Sequence, residues 1–295
     1  MPEFVERFLY HTKILKEQTT FNWFWFNRGG KIQAGRTLDP QKSASNEENA
    51  SLRKFNTDLH IHTCLSPCSD WEMSPKNIVD KSIDKQLDII AICDHNSAEN
   101  VQAAIRLGEK LGLCVLPGME ICTREEVHIL GLFRAVEQAR VMQEFVYAQL
   151  PGENQTELFG HQVIVNEKDE VCGEVSKLLI GASRLSLQDI VDKIHKLGGL
   201  SIASHVDRPS FGIIGQLGFI PADLSLDGLE VSYRVPLKEV RKKVPGTMNF
   251  PCISSSDAHF LDDIGKVKTV FTLAVPTFDE IHLAFKGKDG RRIET

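Results

Sequence analysis

From Thr57 onward the chain alternates short apolar runs with amphipathic stretches. The runs fall at residues 58–62, 87–93, 113–116, 127–133, 199–203, 229–231 and 252–253. Between them apolar positions recur at helical spacing. Ser74-Pro75 opens one such stretch, with Ser as N-cap, Pro at the first helical position, and Ile78, Ile83 and Leu87 on the apolar face. Residues 96–111 form a second. Residues 186–197 begin at a Ser and end at Gly198-Gly199, a helix stop. Residues 236–244 and 277–285 predict shorter helices. Strands alternating with helices imply a parallel sheet, and about seven such units in roughly 240 residues imply an α/β barrel. One segment breaks the rhythm. Residues 162–165 and 171–172 flank Asn166-Glu-Lys-Asp-Glu170, which predicts a β-hairpin inside an insertion from about 145 to 183.

The first 54 residues lack this texture. Residues 33–53 are polar, rich in Gly, Ser, Asn and Glu, and predict a poorly ordered tail ahead of one domain at 55–295. The aromatic run Phe21-Asn-Trp-Phe-Trp-Phe26 lies in that tail and is read as a sticky local cluster. Composition is ordinary for a globular protein, with 42% hydrophobic and 25% charged residues. The net charge of −6 argues against a broad basic surface for duplex DNA, while leaving room for a local basic pocket. Seven cysteines, an odd number set mostly in apolar runs, predict reduced thiols and a cytoplasmic protein. No stretch approaches the ~18 apolar residues of a membrane span. Nothing in the pattern specifies an oligomeric state.

The placement of the ten histidines changes the picture. His62, His95, His128, His205 and His259 fall at the ends of apolar runs, and His60 precedes His62 by two. In an α/β barrel these strand ends share one rim, where active sites are built. Residues i and i+2 of a strand face the same way, ~6.5 Å apart, so two imidazoles are able to converge on one cation. Alone, that pair fits inward-facing strand residues equally well. The other strand ends decide the matter: Ile92-Cys-Asp94-His95, Gly118-Met-Glu120, Ser204-His205 and Ser256-Asp257-Ala-His259 each close a run with a nitrogen or oxygen ligand. Mixed imidazole and carboxylate ligation suits Zn²⁺, Mn²⁺ or Fe²⁺ better than Ca²⁺ or Mg²⁺. The set exceeds the needs of one ion and implies two or three.

These motifs, with Asp58-Leu-His60-Ile-His62-Thr63 at their head and His128 downstream, resemble the PHP (polymerase and histidinol phosphatase) family over about residues 57–260. The resemblance implies a distorted (β/α)₇ barrel of the PHP type, extended here by the hairpin-bearing insertion. It implies a first metal held by His60, His62, Glu120 and Asp257, and a second by Glu120, His128 and His205. A third would take His95, His259 and a residue of the loop Cys64-Leu-Ser-Pro-Cys68-Ser-Asp70. Asp70 is favoured there as a hard donor; Cys68 stands where some members place a ligand. Were neither to reach, the site would be dinuclear. The implied chemistry is phosphoester hydrolysis by a metal-bridging hydroxide.

Asp94, beside a ligand, is expected to orient an imidazole or cap the next helix. Arg208 and Arg234 are candidate catalytic clamps for phosphate oxygens. The expected substrate is a small phosphorylated compound, a phosphomonoester or nucleotide, with the insertion as a lid and no duplex DNA as partner. A nuclease acting on single-stranded ends and a metal-binding module without turnover are the alternatives. His161 is assigned to the surface, and His11, His195 and His282 carry no functional role.

Overall fold

The computed structural model describes residues 51–244 and 246–294. The predicted tail, including the aromatic run at 21–26, lies outside them except for its last few residues. Eleven strands are present among the described residues. They are β1 (Arg53–Ile61), β2 (Ile89–Ile92), β3 (Cys114–Cys122), β4 (His128–Leu132), β5 (Val163–Val165), β6 (Val171–Glu174), β7 (Leu200–Ala203), β8 (Gly228–Glu230), β9 (Cys252–Ile253), β10 (Thr269–Leu273) and β11 (Arg292–Glu294). The helices are α1 (Pro75–Asp84), α2 (Val101–Leu111), α3 (Val136–Tyr147), α4 (Thr156–Phe159), α5 (Leu187–Lys196), α6 (Ile213–Leu217), α7 (Leu237–Lys243) and α8 (Phe278–Phe285).

Seven strands run side by side in the order β1-β2-β3-β4-β7-β8-β9, and they correspond to the seven predicted runs. The sheet closes where Ala258, just past β9, bridges Ile61, with His62 N donating to Ala258 O at 3.0 Å. This is the expected α/β barrel, with two departures. β4 is antiparallel to both β3 and β7, because five residues separate it from β3 and leave no length for a crossover helix. β10 and β11 add an antiparallel ribbon against the first half of β1. That pairing draws Arg53 and Lys54 into β1, so these two residues belong to the domain and not to the tail.

Apolar side chains of β2 alternate between two clusters. Ile89 and Ala91 join Leu59, Leu116 and Ile202 inside the barrel floor, which α8 plugs with Phe278 and Ile281. Ile90 and Ile92 face α1 and α2 with Ile61, Ile78 and Val101. Leu59 therefore points inward and Ile61 outward, and the register with β2 slips between Asp58 and Ile61. A bulge of this kind re-aims side chains. Here it turns His60 and His62 into the mouth.

The predicted helices at 74, 186, 236 and 277 begin within one residue of expectation, with Ser74, Ser186 and Thr277 accepting the backbone N–H three residues on. α2 starts at Val101 instead of 96, because Asn96 adopts φ +52° and residues 96–100 pass under the insertion. α3 was not anticipated, and it occupies the first residues assigned to the insertion.

The insertion contains the predicted hairpin, β5 with β6. It is not free to swing as a lid. Asn100 donates to Val163 O at 3.1 Å and accepts from Val165 N at 2.9 Å. Asn96 donates to Leu179 O and Gly181 O at 2.7 and 2.8 Å. Leu65, Leu150 and Leu179 share a small apolar cluster beneath it. Four side-chain amide hydrogen bonds, three of them buried, and this cluster make the segment a fixed wall beside the mouth.

Candidate metal centre

Eight of the predicted ligands converge at the C-terminal mouth. Glu120, near the end of strand β3, sits at the middle with its side chain almost wholly buried. Its oxygens lie 3.0 Å from His128 Nδ1, 3.1 Å from His95 Nδ1 and His205 Nε2, and 3.4 Å from Nε2 of His60 and His62. Asp257 Oδ1 lies 3.2 Å from His62 Nε2 and 3.4 Å from His60 Nε2. Three overlapping groups keep their ligand atoms within 4.8 Å of one another: His60-His62-Glu120-Asp257, His95-Glu120-His128 and His62-His95-His259.

The tautomers follow from the outer hydrogen bonds. Glu230 accepts from His60 Nδ1 at 3.0 Å. Ser66 Oγ donates to Asp94 Oδ1 at 2.7 Å, so it accepts from His62 Nδ1 at 3.0 Å. The carbonyl of Asp257 accepts from His259 Nδ1 at 2.9 Å. All three rings then present an Nε2 lone pair to the interior. The Nε2 atoms of His60 and His62 face each other across 3.1 Å, a contact that needs a shared cation, proton or metal, between them. Buried Asp257 Oδ1, beside both nitrogens, has no hydrogen-bond partner, which such a cation also fits. The residues present therefore suit a multinuclear divalent centre.

Charge supports the same reading. Burial pushes Glu120 up, yet the charges of His128 and His60 and hydrogen bonds from His128 and His205 hold it well below the carboxylate range. Burial opposes ionisation of Asp257 too, and His60 and His62 overcome it. Burial, then the like charge of His62, lowers His259 to about 3, so its ring is neutral and free to ligate. His205 and Asp257 hold φ of +30° and +49°, left-handed values that non-glycine residues seldom adopt. Such strain at ligand positions is a mark of a site held by its surroundings.

The remaining candidates divide. Asp94 accepts from Thr63 N, Thr63 Oγ1 and Ser66 Oγ, each at 2.7 Å, so it reaches His62 through Ser66 and does not cap a helix. Arg208 donates from Nη1 to Asp257 Oδ2 at 2.6 Å, while its buried Nε has no partner. Arg234 lines the same cavity of about 380 Å³. Asp70, favoured from the sequence, turns its carboxylate to Glu72 N at 2.8 Å and gives its own N–H to His259 O at 2.9 Å. Cys68, two residues earlier, is near enough to His95 to help hold its imidazole above the ordinary value against burial and the charge of His62. Sequence reasoning missed Glu230, Ser66 and Phe211, whose ring stacks on His128 at 4.5 Å between centroids. Glu230 had a signal, a carboxylate inside the apolar run 229–231.

The family model of the PHP domain matches residues 58–200, and that of the PHP-associated region matches residues 243–287. The uncharacterised protein MJ1587 of Methanocaldococcus jannaschii is 29% identical over 185 residues, 60% of this chain and 81% of that protein. A 5'-3' exoribonuclease of Haemophilus influenzae is 32% identical over 78 residues, 25% of this chain and 27% of its own length. Among solved structures, endonuclease Q of Pyrococcus furiosus superposes with a TM-score of 0.60 at 19% identity. Endonuclease Q bound to a 27-mer duplex substrate with an abasic lesion at the active site superposes at 0.63 and 20%. Both comparisons cover 82% of this chain, which spans 58% of the endonuclease chains.

The complex overturns the expectation of a small phosphorylated partner without duplex DNA, since a chain of this fold is seen with duplex at its active site. Net charge sums the whole surface and does not describe the mouth, where Arg208 and Arg234 stand. No helix among the described residues is long and apolar enough to cross a membrane. With both family models matched in order and the ligand set assembled at one mouth, the chain belongs to the PHP family, whose members are metal-dependent phosphoesterase and nuclease hydrolases.

Proposed function

We propose that this chain hydrolyses phosphodiester bonds of nucleic acid at a trinuclear centre of Zn²⁺, Mn²⁺ or Fe²⁺. The observation that carries the reading is the crowding of inward lone pairs and two anionic carboxylates around Glu120. His60, His62, Glu120 and Asp257 are proposed for the first ion, and Glu120, His128 and His205 for the second. His95 and His259 are proposed for the third, completed by Cys68, since the Asp70 carboxylate is engaged in its own loop. Divalent ions held there supply an activated water and neutralise phosphate oxygens.

The protein's own contribution is orientation and charge. Glu230, Ser66 and the Asp257 carbonyl lock three imidazoles in the ligating tautomer. The Arg208 guanidinium is fixed by Asp257, leaving its remaining Nη N–H groups for a phosphate oxygen, and Arg234 lines the same cavity. The exoribonuclease and endonuclease relatives support nucleic acid as the substrate class. Seven free cysteines support a reducing, cytoplasmic setting.

The test is metal-analysed protein with end-labelled single-stranded and duplex oligonucleotides. Cleavage that needs Mn²⁺ or Zn²⁺, stops with chelator and is absent from Asp257→Ala and His62→Ala is expected. Metal-loaded protein that binds oligonucleotides and cuts none would replace this reading with a binding module.

A further inference from the structure

We propose that Phe211 is a stacking platform for an unpaired nucleobase, so that the centre acts on a nucleotide outside a base pair. The inference rests on the nuclease reading above and deepens it.

Three features of Phe211 call for an explanation. It is a large aromatic side chain left 40% exposed at the mouth. Its backbone sits at φ +60°, a strained value for a bulky residue. Its ring lies nearly parallel to His128, 22° between planes, while its carbonyl accepts from His128 N at 2.9 Å. A residue needed only to support His128 would gain by burying its ring. The platform is also rigid. A Cβ at Gly212 would meet Arg208 O at 2.7 Å and His205 O at 2.9 Å, so the loop from His205 to Gly212 is packed on itself.

The surroundings indicate what stacks there. Phe211 shares its cavity with Glu120, His128, Asp257, Arg208, Arg234 and, from the insertion, Ile180. A flat apolar face within one cavity of the metal ligands and two guanidinium groups matches one nucleotide: base on the ring, phosphate at the cations. The cavity of about 380 Å³ is near the small end of the ~300–1,000 Å³ range for enclosed ligands. That volume matches one nucleotide. A base reaches Phe211 from a strand end or after leaving the helix.

The experiment compares four labelled substrates on wild type, Phe211→Ala and Phe211→Tyr, each matched for bound metal. They are a single strand, the same strand with a tetrahydrofuran abasic unit at the scissile nucleotide, a duplex with one unpaired nucleotide, and a fully paired duplex. Wild type is expected to prefer the base-bearing strand to the abasic one, and the unpaired site to the paired duplex. Phe211→Ala should raise KM for the base-bearing strand about 10-fold or more, the loss of one base–aromatic stack, and abolish the preference. Phe211→Tyr should restore it. A preference for the strand over the unpaired duplex site places the base at an end; the reverse places it after extrusion. Equal cleavage of base-bearing and abasic strands by wild type, or an equal loss on both in Phe211→Ala, overturns the platform and leaves the nuclease reading standing. Wild type that cuts none of the four overturns both.

Discussion

Glu230 accepts a hydrogen bond from His60 Nδ1 at 3.0 Å, and neither side chain reaches solvent. Burial disfavours the charged imidazolium, but Glu230, Glu120 and Asp257 together raise His60 well above its ordinary range. The same negative charge that favours a proton favours a cation on Nε2, and the outer hydrogen bond makes the ring a better donor.

Glu230→Ala removes both the acceptor and the charge, so metal affinity should fall about 10- to 100-fold. Glu230→Gln keeps an acceptor and should lose less. A competition titration against a chromophoric chelator reads the difference. Unchanged affinity in Glu230→Ala would remove Glu230 from the account of the centre.

The Cys68 assignment has a spectroscopic signature. Thiolate ligation gives Co²⁺-substituted protein a ligand-to-metal charge-transfer band in the near ultraviolet, which imidazole and carboxylate do not. Cys68→Ser should lose that band and one ion per chain, whereas Asp70→Ala should keep both. The opposite pattern would return the third site to Asp70.

How much of this was legible in the sequence depends on the range of the forces involved. The seven barrel strands and the rim ligands could be read because each is announced locally, by a short apolar run ending in His, Asp or Glu. Antiparallel β4 could not, since its direction follows from the length of the turn after β3. The Leu59/His60 bulge likewise has no local sign: it depends on pairing with β2 and with Ala258. Asp70 and Cys68 were adjacent alternatives whose order was set by backbone hydrogen bonds of the loop, Ser69 N to Ser66 O and Asp70 N to His259 O, at 2.9 Å each. Phe211 was invisible because its meaning comes from His128, 83 positions away.

Ser66 provides a test of the link between Asp94 and the metals. Its hydroxyl donates to Asp94, accepts from His62 Nδ1 and accepts from His95 N at 3.2 Å. Ser66→Ala leaves the His62 ring N–H and the His95 backbone N–H without an acceptor, at a cost of about 1–3 kcal/mol for each unsatisfied group. Thermal stability of the metal-free protein and metal affinity should therefore both fall. Ser66→Thr, which keeps the hydroxyl, should recover affinity before stability because its extra methyl enters a filled space. Full affinity in Ser66→Ala would show that Asp94 serves the loop alone.

On the underside of the barrel, away from the ligands, His195 Nε2 lies 2.8 Å from Asp227 Oδ2. That hydrogen bond raises His195 above its ordinary 6.5, against the opposing effect of partial burial. Burial pushes Asp227 up, but the bond to His195 outweighs it and keeps the carboxyl below its usual value. The sign for His195 is that of a group binding its proton more tightly when folded. Its contribution is complete below pH 6.5 and disappears as pH rises through the folded value. Asp227 limits the contribution only at acid pH, as the carboxyl protonates. The pair is part-exposed, so its worth is about 1 kcal/mol or less. Wild type should melt up to about 2–4 °C above His195→Gln at pH 6, and the gap should close by pH 9. Differential scanning fluorimetry across that range, at fixed metal, checks it. A gap that stays constant with pH would mean that His195 acts by packing and its hydrogen bond to Ser201 instead of by charge.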